Sequence, residues 1–267
     1  MQCMREPVYY QFWLFAVPLA VAALASWAYL AGHAPAALTA VVNGVCQFFA
    51  FTVAHDSAHS VYCRESRVLK RLNLILARIV SLLYLIPFSS FKFAHLGHHH
   101  HFNDATRDPD HWVAGRNVFL VAAKCATMHA PYYGIILRKA PLRVRSALVL
   151  WIVCLVGLVA ASIVYVFFVE LAVMWLIPAH IAIFLVAFVF DWAAHHPHHE
   201  KMFGDSPAYL LPEAIRPFAS FCVANQTFHL IHHLYPRVPW TRVERLYWEI
   251  EPWLAKEGVR VVDWRGR

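Results

Sequence analysis

From Pro7 to Ala54 the chain contains no Asp, Glu, Lys or Arg. That run is too long for one helix, since ~30 Å of hydrocarbon is crossed by about 20 residues. It breaks at Gly32-His33-Ala34-Pro35, so the sequence predicts a helical hairpin, with spans at about 12–32 and 36–54. A second uncharged stretch, Ala147–Val169, is followed by the single charge of Glu170 and then by Leu171–Phe190, in which Pro178 and His180 are the irregularities. This predicts spans at 147–169 and 171–190 joined by a tight turn at Glu170. Composition agrees: 60% of residues are hydrophobic and 15% charged, against roughly 45–50% and about 25% in ordinary soluble domains. The expected fold is all-α and integral to the membrane. One domain over residues 1–267 would comprise two transmembrane hairpins, interfacial helices and a cytosolic histidine-rich cap.

The net charge of +7 comes with no basic motif of the kind that binds nucleic acid. Its distribution fits a membrane instead. None of the 23 Lys and Arg residues lies in a predicted span or hairpin turn, so by the positive-inside tendency the face carrying them is expected to be cytoplasmic. Residues 64–80 place Arg67, Lys70, Arg71 and Arg78 on one side of a helical wheel and Leu69, Leu72, Leu76, Ile79 and Val80 largely opposite, the pattern of a helix lying in the interface. The apolar stretch Ser81–Ala94 is broken by Pro87 and too short to span, so it is expected to stay on one side or to re-enter. Six scattered cysteines without a Cys-x-x-Cys pair suggest neither a disulfide framework nor a zinc site. The N-terminal apolar segment reads as a first span and not as a removable signal.

On the same predicted face lie the histidines. Residues 95–101 read His-Leu-Gly-His-His-His-His, and five imidazoles so close would repel one another once protonated. A transition metal holds imidazoles neutral and together; the alternative is a surface tract of weak metal affinity. In a helix His95, His98 and His99 share a face at i, i+3 and i+4. Three further groups leave the predicted spans or follow them: His55 and His59, again at i and i+4; His195 with His196, His198 and His199; and His229, His232 and His233. Taking His195 from its group gives nine candidate ligands. A tetrahedral zinc needs at most four, so nine fit two metal ions, and so many ligands point to oxygen activation, since polarising a water takes far fewer.

The pattern H-x(3)-H, H-x(2)-H-H, H-x(2)-H-H on four spans resembles the membrane fatty-acid desaturase and hydroxylase superfamily over roughly residues 50–250. Three details look most like its carotenoid β-ring hydroxylases of the cyanobacterial type. They are His55-Asp56-Ser57-Ala58-His59, the Asn103-Asp104 and Asp108-Pro109-Asp110-His111 that follow the histidine run, and His229 to Pro236 continuing into Val238-Pro239-Trp240. Carotenoid ketolases share the Pro-Trp ending, and fatty-acyl desaturases share the boxes. The resemblance implies two iron ions at the cytosolic face, O2 as co-substrate, and a lipid-soluble substrate, carotenoid or acyl lipid. It also implies electrons from a separate ferredoxin-like or cytochrome-like carrier. One departure is Ala193-Ala194, where related sequences often have Leu-Pro. The register among His195, His196, His198 and His199 is therefore open, with His195 favoured by its spacing from Asp191.

Asp56, Asp104, Asp108 and Asp191 are candidates to accept the outer N–H of ligating imidazoles, or else serve as caps and turn residues. His100, His101 and His111 are expected to be neighbours and not ligands. His33, His129 and His180 are isolated, with a satisfied interhelical hydrogen bond expected for His180. Trp13, Trp27, Tyr29, Trp151, Trp175 and Trp192 read as an interfacial belt, and 240–253 as a membrane-surface helix. A metal transporter or sensor is the non-enzymatic alternative, but transporters place ligands along a path within their spans.

Overall fold

The computed structural model describes residues 10–61, 67–198 and 206–263. Four helices are long and apolar enough to cross a membrane: α1 (Tyr10–Leu30), α2 (Ala36–Ala58), α7 (Leu142–Val164) and α8 (Phe168–His195). Between the hairpins they form lie α3 (Arg67–Leu83), α4 (Phe88–His101), α5 (Val118–Ala126) and α6 (His129–Lys139). After α8 come β1 (Ala208–Leu210), α9 (Arg216–Cys222), α10 (His229–Leu234), α11 (Val243–Lys256) and β2 (Val261–Asp263). The two short strands pair in parallel with Tyr209 opposite Val262.

The hairpin turns follow from helix-end chemistry. At the end of α1, Gly32 adopts φ +75° and the amides of Gly32 and His33 return to the carbonyls of Tyr29 and Ala28, at 2.9 and 2.8 Å. This paired closure satisfies carbonyls that the helix itself cannot. The same closure ends α7, where Val166 (φ 59°) takes the left-handed position and Phe167 N–H reaches Ser162 O at 2.9 Å. The second turn therefore lies at 165–167 and not at Glu170, which sits within the first turn of α8. The lone charge misled because the backbone, with a β-branched residue in a conformation it disfavours, turns earlier, and Glu170 only follows.

The helices divide into inner and outer pairs. Along its most apolar window α2 is 61% buried and α8 44%, while α7 is 11% and α1 0%. Large side chains exposed on α1 and α7, such as Leu24, Trp27, Leu150 and Val153, are apolar, as a lipid-facing surface requires. Inside, Asn43 of α2 donates to Ser26 Oγ of α1 (3.0 Å) and to Met174 O of α8 (3.2 Å), tying three spans together. Next to it Gly44 permits close approach: a Cβ there would meet Ile181 Cγ2 at 2.7 Å and the Pro178 carbonyl oxygen at 3.2 Å.

Helices α3 and α4 meet at an 89° bend, with Leu85 at φ 58° and Pro87 preceding α4. At 14 residues, α4 is about 21 Å long by its rise per residue, short of a span. Its bend leaves carbonyls unpaired by any helix, and those of Leu83, Tyr84 and Leu85 are met by side chains. Trp175 Nε1 reaches Leu83 O at 3.2 Å, His129 Nε2 reaches Tyr84 O at 3.1 Å, and Trp151 Nε1 reaches Leu85 O at 2.7 Å, where Tyr133 also donates. Irregular backbone beside hydrocarbon survives only when buried and paired in this way. Trp151 and Trp175 are thus structural donors, as is Trp192, which donates to Gly115 O at 3.1 Å. Trp13 and Trp27 keep the exposed placement of belt residues. His180 bonds its own helix, Leu176 O at 2.8 Å, in place of a neighbouring one.

Helix α3 has three faces and not two. Arg67, Lys70, Arg71 and Arg78 mark one, Val68, Leu72, Ile75 and Ile79 stand exposed, and Asn73, Ala77, Val80 and Ser81 are buried. Helix α8 departs from α-geometry twice, with π turns at Ala172–Leu176 and Ala187–Trp192, before ending in a 3-10 turn at Ala193–His195. Such wider turns rotate the residues beyond them and occur often at functional sites. The second carries Phe190 and Asp191 and leads directly into His195.

Two apolar clusters hold this arrangement. One joins α2, α4 and α8 through Phe48, Phe51, Val53, Phe91, Ile183, Val186 and Phe190. The other holds α10 against α11 through Phe228, Leu230, Ile231, Val243, Leu246, Tyr247 and Leu254. Burying side chains of this size stabilises by roughly 1.5–3 kcal/mol each. In α10 the consequence is directional, because Leu230 and Ile231 take the inner face and leave His229, His232 and His233 together on the opposite one.

Candidate metal centre

The helix frames bring eight of the nine predicted histidines into two groups of four. One comprises His55 and His59 of α2, His95 of α4 and His232 of α10; the other comprises His98 of α4, His195 of α8, and His229 and His233 of α10. Within each, ring nitrogens lie within 4.8 Å of one another. Each group takes one i, i+4 pair from a single helix and two residues from elsewhere, because α4 supplies neighbouring positions to both. His99 stands between them, its Nε2 3.1 Å from that of His232 and its ring 4.4 Å from those of His59 and His233.

Outer hydrogen bonds decide which nitrogen faces inward. His98 Nδ1 lies 2.9 and 3.0 Å from the two oxygens of Asp108, whose carboxylate also receives the amides of Asn103 (2.8 Å) and Asp110 (2.9 Å). His229 Nδ1 donates to Gln226 Oε1, and the Gln226 amide is oriented by its own bond to Ala224 O at 3.2 Å. His195 Nδ1 pairs with Ser206 Oγ at 3.1 Å, and His55 Nδ1 faces Asp56 Oδ1 at 3.2 Å. Fixing the N–H at Nδ1 leaves the Nε2 lone pair for the centre. Asp56 is in turn held from α1, by Tyr10 and by Gln11 Nε2 at 3.3 Å.

The inward nitrogens converge as ligands do. His229 Nε2 lies 3.0 Å from His195 Nε2 and 2.9 Å from His233 Nε2, His98 Nε2 lies 3.4 Å from His233 Nε2, and His59 and His95 approach at 2.7 Å. Two ligands about 2.1 Å from a common ion and near a right angle stand about 3 Å apart. The lone pairs of His98 and His229 point into one small volume, and buried His55 Nε2 has no protein partner. Leaving such atoms unsatisfied is costly, so a cation is what this donor set fits. Burial, reinforced by neighbouring imidazoles, holds His59 down at about 2 and His229, His232 and His233 well below the usual histidine range. These rings are therefore neutral near pH 7, the form that binds metal. At His98 burial also lowers the pKa, but the carboxylates of Asp110 and Asp108 outweigh it and raise it to about 9, so a metal there displaces a proton.

The remaining predicted residues fall as follows. Asp191 is buried but takes a place in a cavity wall. Asp104 is turned to its own loop, accepting from the Thr106 and Arg107 amides at 2.9 and 3.1 Å and from Arg107 Nε at 2.7 Å; an Asx turn at this position uses up the carboxylate. Asp110, not foreseen, sits in its stead, with Oδ2 3.3 Å from His98 Nδ1. Of the alternatives to His195, His196 packs on Trp192 at 5.3 Å and His198 faces His111 at 6.2 Å, while His199 lies outside the described residues. His100 and His101 contact each other at 4.6 Å. Gln226 and Ser206 were also missed. Gln-x-x-His at a helix start is a recognisable signal for the first, whereas Ser206 reaches His195 only through the fold.

A partly open cavity lies beside both groups. Phe51, Phe91, Ile183, Val186 and Phe190 line it, and His55, His95, His98, His195 and His229 reach its end. A mainly apolar chamber reached by metal-type donors suits a ligand that is largely hydrocarbon.

The sequence pattern of the family described as Fatty acid desaturase matches residues 32–265. The chain belongs to this family. No curated protein matches the sequence. The match takes in all four histidine groups and three of the four apolar helices in full. This desaturase-family protein is accordingly a multi-pass, all-α membrane protein and an oxygen-dependent oxidoreductase whose histidine groups can bind metal, in a family that is typically iron-dependent.

Proposed function

We propose that this desaturase-family protein is a di-iron oxygenase that hydroxylates the β-ionone ring of a carotenoid. The observation that carries the di-iron reading is the pair of four-imidazole groups at the end of an apolar cavity. In this reading His55, His59, His95 and His232 hold one iron, His98, His195, His229 and His233 the other, and His99 stands within reach of both. When bound, the irons supply activation of O2 and the oxidising power that an unactivated C–H bond demands. Asp108, Gln226, Ser206 and Asp56 keep the imidazoles in the ligating tautomer. The walls of the cavity position the lipid and exclude water. Electrons come from a separate ferredoxin-like or cytochrome-like carrier. The excess of Lys and Arg outside the spans favours a cytoplasmic centre, and the whole chain is read as one domain.

The ring is favoured over an acyl chain by His55-Asp56-Ser57-Ala58-His59, Asp108-Pro109-Asp110-His111 and Pro239-Trp240, motifs that resemble the carotenoid hydroxylases. Acyl-lipid desaturation is the second reading, favoured by the family match itself, and ring ketolation would use the same centre. Coexpression with a β-carotene pathway, followed by chromatography of pigments and fatty acids, tests the choice. New hydroxylated pigment, absent with His98→Ala, is expected. Unchanged pigment with new acyl double bonds would overturn the ring assignment and leave the di-iron chemistry standing.

A further inference from the structure

Apart from its histidines, Ser81 and Tyr84, the cavity is lined mainly by apolar side chains, and its carboxylates lie together. Where it meets His98, its wall includes Asp110, Tyr132 and Asp191. Asp110 is 3% exposed and uses Oδ2 toward His98 Nδ1 at 3.3 Å, and its carboxylate also accepts a hydrogen bond from Tyr132. Its other oxygen, Oδ1, is buried without a partner. A carboxylate oxygen has strong acceptor capacity and pays heavily in lost hydration when burial leaves it unmatched. Here that oxygen belongs to a residue of the cavity wall, with a second buried carboxylate, Asp191, in the same wall. The outer nitrogens of His55, His98, His195 and His229 have partners in Asp56, Asp108, Ser206 and Gln226, and none of these contacts uses Asp110 Oδ1.

We propose that Asp110 and Asp191 form a hydroxyl-binding subsite, so that among apolar lipids one that already carries an alcohol group is bound in preference to its unfunctionalised analogue. The hydroxyl donates to Asp110 Oδ1 and takes the place of lost water, while the hydrocarbon fills the space among Phe51, Phe91, Ile183 and Phe190. A donor is required, because an ether or ester oxygen would set lone pairs against lone pairs. Specificity of this kind is steep, since a site built around a hydrogen bond rejects the analogue that lacks it far more strongly than an apolar pocket rejects one methylene. This inference rests on the cavity being the substrate site.

The test uses the full chain, iron-loaded and purified in lipid nanodiscs, with hexadecan-1-ol and its methyl ether as probes. The wild type is expected to bind the alcohol at least about tenfold more tightly, as a hydrogen bond to a charged acceptor allows. Asp110→Asn is expected to reduce that preference to about threefold or less, and Asp191→Asn to reduce it partially. The ratio between probes is the readout, so a variant with impaired folding, binding neither, is replaced in the argument by the Asp191 variant. Equal binding of the two probes by the wild type, both weakened by Ile183→Trp in the cavity wall, overturns the subsite and leaves the cavity assignment intact. Binding of neither probe, or binding indifferent to Ile183→Trp, overturns the cavity assignment and the subsite with it.

Discussion

The two imidazole groups are alike in number and unlike in support. The group of His98, His195, His229 and His233 has three of its rings braced from outside, by Asp108, Ser206 and Gln226. The group of His55, His59, His95 and His232 has one such brace, Asp56 at 3.2 Å, and is set chiefly by the rigid faces of α2 and α4. The first group is assembled from helix ends and a short helix and needs those hydrogen bonds to fix its rings. The second inherits its geometry from two packed helices. Order at a metal site can thus come from hydrogen bonding or from secondary structure, and the two should fail differently.

The largest effect distinguishes the groups by deletion. His229→Ala and His55→Ala should each abolish activity, and metal analysis should find about one iron per chain in each in place of two. Loss of both irons from either variant would break the idea of two separately held ions. Chelation comes next: removing metal should lower the unfolding temperature, since a ligand at a hundredfold over its Kd stabilises by about 2.7 kcal/mol. The loss should occur in two phases, the less braced group emptying first, and ferrous iron should restore both activity and stability.

Smaller effects sharpen the contrast. Asp108→Asn should reduce activity or iron affinity by roughly 10–100-fold, the usual consequence of losing an outer partner. Asp56→Asn should cost less, because α2 continues to orient His55; an equal or larger loss, measured as iron retained through dialysis, would erase the distinction. His100→Ala should be nearly silent, within about 0.5 kcal/mol in thermal unfolding, with iron content unchanged.

Much of this was legible before folding because it is written in periodicity. The uncharged runs set the four spans, and i, i+4 spacing placed His55 with His59, whereas His95 and His98, expected on one face, went to different groups. What escaped was whatever depends on backbone departing from the regular helix. The second turn falls at Val166 because of a left-handed residue, not at the conspicuous Glu170. Trp151 and Trp175 looked like belt residues until the bend at Leu85 exposed carbonyls for them to satisfy. Among four aspartates near the histidines, sequence could not tell Asp104, which closes its own turn, from Asp108, which orients a ring. The loop between them folds back, and only that reversal brings Asp110 beneath His98. Ser206 lay beyond inference for the same reason, since its partner is fixed by tertiary contact alone.

Gly44 sits about 16 Å along α2 from His55 by the rise of the helix, deep among hydrocarbon and far from any metal donor. Yet it sets how near α2 lies to α8, and those helices carry His55 and His59 on one side and Asp191 and His195 on the other. A single added methyl, meeting Ile181 and a main-chain oxygen, would wedge the pair apart like a shim between two hinged plates. The spacing of the two imidazole groups is thereby gauged far along the helices from either, by a carbon atom that the sequence leaves out.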